Sequence, residues 1–90
     1  MDQKIIVESL AMDLKRVALG LHRGSNAMAN RFKMEALKRG EELEVLQTDD
    51  YLIKIWNRTK NALIQNSDRV AEDVLMYSIL FQNFAVKKLS

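Results

Sequence analysis

SDRVAEDVLMYSILFQNFAVKK, residues 67–88, has the marks of one α-helix with punctuation at both ends. Ser67 can cap it, Asp68, Glu72 and Asp73 load the positive end of the helix dipole, and Lys87 and Lys88 close the negative end. Val70, Val74, Tyr77, Phe81 and Phe84 recur at spacings of three and four, the stripe a helix turns toward a core. Leu75, Ile79 and Val86 form a second stripe beside the first, and Met76 and Leu80 a third. The uncharged run Val74–Val86 is thirteen residues, too short to span a bilayer. A helix that is apolar on nearly all sides is covered on nearly all sides, so this segment implies several partner helices.

Upstream, the same periodicity predicts a helix over residues 50–65. Leu52, Ile53, Trp56, Thr59, Leu63 and Ile64 point inward, and Lys54, Asn57, Arg58, Asn61 and Gln65 make the opposite, solvated face. Thr48 or Asp49 caps it. A helix over residues 26–47 turns Phe32, Ala36, Leu43 and Leu46 to one side, and Ala29, Ala36 and Gly40 make a strip of small side chains where a neighbour can approach closely. Residues 2–22 carry Val7, Leu10, Leu14, Val17 and Leu21 at helical spacing. Between these last two segments Arg23-Gly24-Ser25-Asn26 predicts a stop and restart, Gly24 taking positive φ and Ser25 or Asn26 capping the next helix. Its rival is a single long helix through Gly24, since glycine inside a helix costs only ~1 kcal/mol. With no proline anywhere and no sustained period-two alternation, the expected class is all-α: one domain, 1–90, of about four helices.

The first helix is apolar on two sides as well. Ile5, Met12 and Leu19 repeat every seven residues, roughly opposite its core stripe. A lone bundle of 90 residues would leave that seam and the extra stripe of Leu75, Ile79 and Val86 in water, and monomers rarely expose contiguous apolar patches of that size. The economical expectation is a homodimer, with these six residues as the oligomer interface. A monomeric bundle in which the fourth helix sits at the centre is the alternative, although it leaves Ile5, Met12 and Leu19 unexplained.

Composition narrows the function classes without choosing one. Fourteen basic and twelve acidic side chains leave a net charge of +2, and no segment concentrates it, so neither nucleic acid nor an anionic membrane is called for. The absence of cysteine excludes disulfides and thiolate sites, and fits a reducing compartment; with no basic-then-apolar leader at the N-terminus, a cytoplasmic location is expected. The lone His22 ends its helix and has no carboxylate four residues away, which counts against a phosphotransfer histidine. One histidine also cannot supply a carboxylate-bridged dimetal bundle, and neither a phosphate-binding glycine loop nor a serine triad can be assembled from Ser25 and its neighbours. The glutamates at 41, 42 and 44 suggest only a solvated face. No cofactor, metal or catalytic residue is therefore expected, and the chain points away from an enzyme. The expected function is a helical interaction or scaffold protein acting as a homo-oligomer, its protein partner unidentified. The main alternative is a dimeric nucleic-acid-binding regulator using Lys54, Asn57, Arg58, Asn61 and Gln65, side-chain types that also suit groove recognition. Phosphotransfer through His22 is the third.

Overall fold

A computed structural model of the chain describes residues 2–46, 49–65 and 69–89. Four helices make it up: α1 (Gln3–His22), α2 (Asn26–Val45), α3 (Asp50–Ile64) and α4 (Val70–Lys88). Every regular element among the described residues is α-helical.

The first joint is a break. Gly24 sits at φ 71°, where an L side chain is strained. Its N–H donates to the Leu21 carbonyl at 3.2 Å and that of Ser25 to the Gly20 carbonyl at 2.8 Å, the paired bonds of a Schellman motif. Ser25 then caps α2, its Oγ accepting the Met28 N–H at 3.3 Å. At the second joint Asp49 takes the capping role, with Oδ1 accepting the Tyr51 N–H at 2.8 Å. Gln47 and Thr48, the expected end of α2 and rival cap of α3, lie outside the described residues, as do Ser67 and Asp68.

Around the bundle each helix packs against its chain neighbours and α4 closes on α1, which leaves α1 diagonal to α3 and α2 to α4. The core runs through Leu10, Leu14, Leu43, Leu52, Trp56, Val74 and Phe81, all fully enclosed. Small residues set the closest approaches. A Cβ on Gly20 would come within 2.8 Å of the Ala29 backbone nitrogen, and one on Gly40 within 1.8 Å of Cζ2 of Trp56. The strip of small side chains on α2 is thus the slot into which α1 and the Trp56 ring fit.

Two inward assignments need correction, and so does the alternative that puts the fourth helix at the centre. Ile64 is 68% exposed, while Ile55 and Ala62 are buried in its place. On a 100° wheel Ile64 lies past the edge of the stripe centred on Leu52, Trp56 and Leu63, and the stripe extends the other way. Leu46 is also exposed, because α2 stops at Val45 and Leu46, its C-cap, lies beyond the last enclosed residue, Leu43. Helix α4 is a corner of the bundle rather than its centre, and its second stripe faces outward.

Candidate functional site

The outer face of α1 and α4 gathers the residues expected at an interface. Each of the six residues expected at an interface is exposed: Ile5, Met12 and Leu19 on α1, and Leu75, Ile79 and Val86 on α4, by 36–64%. Met76, on the third stripe of α4, is exposed beside them. Their shared placement follows from how the two helices meet. Ala11, Ala18 and Ala85 are small and buried, which lets the helices lie close. Ser78, also buried, donates its hydroxyl to the Ala11 carbonyl at 2.8 Å. Because the helices run antiparallel, that bond brings Met12 and Ile79 to nearly the same level. Met12 and Val86 line a single groove of about 490 Å³ between the helices, with Lys4, Glu8, Lys15 and Gln82 along its walls. Two apolar seams that are separate in sequence thus lie on adjoining helices, with one residue of each, Met12 and Val86, in a common groove.

The α3 polar set is also gathered on one surface: Lys54, Asn57, Arg58, Asn61 and Gln65 are all exposed. Lys60, at its edge, is engaged elsewhere, donating to Glu44 Oε1 at 2.9 Å. The same carboxylate oxygen accepts the Trp56 indole N–H at 2.7 Å. Those two bonds, that of Lys60 first, hold the Glu44 carboxyl below the usual carboxylate range. Glu44 is therefore a clamp between α2 and α3 and not part of a plain solvated face.

His22 is exposed at the last turn of α1 and lines a groove of about 470 Å³ at one end of the bundle, with Asn26, Lys33 and Glu72 around its mouth. Ser25, its neighbour, spends its hydroxyl on the α2 cap. Among the described residues no three His, Asp or Glu side chains come together in a way that could hold a metal ion. No helix among them is long and apolar enough to cross a membrane.

One buried charge has no sequence signal beyond its position. Asp13 faces α2 from α1 with only 8% of its surface exposed. Burial raises its pKa, Glu35 across the interface adds to this, and Arg16, 3.8 Å away, and Arg39 oppose it. Arg16 also lies over the Phe32 ring, 5.2 Å from its centroid, with Arg31 at 5.5 Å. The heptad arithmetic places Asp13 on the flank of the core stripe, the only hint it leaves.

No family model, no curated protein and no solved structure matches this chain.

Proposed function

We propose that the chain is a non-enzymatic helical interaction protein that works as a homodimer, with the outer face of α1 and α4 covered by a second copy. One observation carries this: all six side chains of the two apolar seams are exposed, and they lie on adjoining helices. Fully burying an aliphatic side chain contributes ~1.5–3 kcal/mol, so completing the burial of six that are about half exposed contributes roughly 5–9 kcal/mol. The second copy doubles this to roughly 9–18 kcal/mol, set against a rigid-body cost of about 4–15 kcal/mol, and a net of about 8 kcal/mol corresponds to micromolar pairing. A dimer acting as part of a larger cytoplasmic assembly is in keeping with the even spread of charge along the chain. Sedimentation equilibrium of the wild type at about ten micromolar tests the reading. A species of twice 10.4 kDa is expected, and a stable, soluble species of 10.4 kDa alone overturns it.

A second function, nucleic-acid binding through α3, draws support from the exposed cluster of Lys54, Asn57, Arg58, Asn61 and Gln65. It requires salt-sensitive binding of random-sequence duplex DNA or RNA that weakens when Lys54 and Arg58 are replaced together. Two cations, Lys54 and Arg58, with Lys60 held by Glu44, make a small footprint beside the phosphate contacts of typical binders, which is why it ranks second.

A further inference from the structure

We infer that the two copies pair about a two-fold axis that crosses the helices at Met12 and Ile79, laying α1 antiparallel on α1 and α4 antiparallel on α4. The inference rests on the dimer proposed above and specifies its geometry. Two copies joined face to face by a two-fold have only two simple choices, since the axis lies in the plane of the interface. It runs either across the helices or along them.

Across the helices, Met12 meets Met12 and Ile5 meets Leu19, because Ile5 and Leu19 each stand seven residues from Met12. Glu8 and Arg16 each stand four residues from Met12, so Glu8 of one copy comes level with Lys15 and Arg16 of the other. On α4 the same rotation pairs Ile79 with Ile79 and sets Glu72, seven residues before it, level with Val86, seven after it, with Lys87 one residue further on. On the flanks of this face α4 carries Glu72 before its midpoint and Lys87 after it, and α1 carries Glu8, paired with Lys4 at 3.9 Å, before its midpoint and Lys15 after it, so an antiparallel self-pairing brings opposite charges together. Met12 and Ile79 lie at nearly the same height in one chain, held there by the bond from Ser78 to the Ala11 carbonyl, so one axis serves both helices.

Along the helices, α1 would lie on α4 of the second copy. Ile5 would find Val86 and Met12 would find Ile79, but Glu8 would face Gln82, Arg16 would face Leu75, and Leu19 would face Glu72. Lys4 would come level with Lys87. Apolar matching is similar in the two arrangements, and the charges separate them.

The chain contains no cysteine, so a single introduced thiol reports its own neighbours. Met12 and Ile79 are about half exposed, and substituting them leaves the core intact. A disulfide needs Cα atoms within about 4.4–6.8 Å, a separation that opposed positions on two facing helices reach, and a residue stands opposite its own copy only on the axis. Full-length Met12→Cys and Ile79→Cys, each oxidised alone with copper phenanthroline at ten micromolar, should link to themselves within minutes. Ile5→Cys should link only to Leu19→Cys, and Asn57→Cys on α3 should stay unlinked. Linking of Met12→Cys to Ile79→Cys in a mixture, with neither linking to itself, overturns this axis in favour of the other. Linking of Asn57→Cys at the same rate overturns it as well, because the thiols would then be meeting by collision. Sedimentation of the wild type separates the two levels: a monomer removes the dimer itself, whereas a dimer in which Met12→Cys fails to self-link removes only this geometry.

Discussion

At the residue scale, the positions that matter most are those with the least room. Gly40 has no Cβ because the enclosed Trp56 ring occupies that space, and neither the ring nor the α2 backbone can withdraw cheaply. Gly40→Ala should therefore cost about 3 kcal/mol, the upper end for overpacking, and lower Tm by roughly 10–25 °C in a domain this small. Gly24→Ala meets open space and suffers only the strain of φ 71°, about 1–2 kcal/mol, so thermal denaturation followed by circular dichroism should rank Gly40 well above Gly24. The turn at Gly24 is legible in Arg23-Gly24-Ser25-Asn26, since its chemistry is local. The close approach at Gly40 is legible too, in the strip of small residues Ala29, Ala36 and Gly40, but the Trp56 ring that fills it is not, because it comes from another helix sixteen residues away. Asp13 makes a second test. Burial raises its folded pKa above 3.8, so the folded state binds the proton more tightly than the unfolded chain. Its contribution is then most favourable below the unfolded pKa and is lost as pH rises through the raised folded value. Asp13→Asn should stabilise the protein at pH 7, leave it little changed near pH 3.5, and flatten the pH dependence between, as read from urea midpoints at a series of pH values.

Among the elements, α2 and α3 share the slimmest interface, and a single carboxylate bridges it. Glu44 accepts from Trp56 and from Lys60, one donor buried and one in water. Glu44→Ala leaves the indole N–H unpaired beside the core and should cost about 1–3 kcal/mol in urea unfolding. Glu44→Gln keeps an acceptor for Trp56 and should cost less. The bonds from Lys60 and Trp56 depress the Glu44 pKa in the fold, so their contribution is present above the ordinary carboxylate pKa and is lost as pH falls through the lowered value. Glu44→Gln should remove that acid-side loss, although solvent screens much of it at a side chain 40% exposed. The helices themselves were readable from capping residues and 3.6-residue periodicity, and errors fell where an apolar residue sat near a stripe's edge. Ile64 and Leu46 have the right composition for a core, but angle excludes the first and the end of α2 the second.

On the scale of the whole molecule, the bundle measures 34 × 20 × 19 Å and every helix shows one side to water. With so thin a core, the two apolar rows on α1 and α4 weigh heavily in the proposed dimer. Met12→Glu or Ile79→Glu should shift sedimentation toward 10.4 kDa, and the same charge at Asn57 on the outer side of α3 should not. If Met12→Glu also lowers Tm, the subunit draws part of its stability from pairing, and Tm should rise with protein concentration. The sequence alone determined the all-α class, the helices and the surplus of apolar stripes, because these are properties of one helix at a time, set by spacing, caps and composition. Tertiary structure decided that the seams of α1 and α4 adjoin, that Asp13 is buried against α2, and that Glu44 clamps Trp56. Each of those depends on the rotation and height of one helix against another, and these are set where Ser78 meets Ala11 and Gly40 meets Trp56.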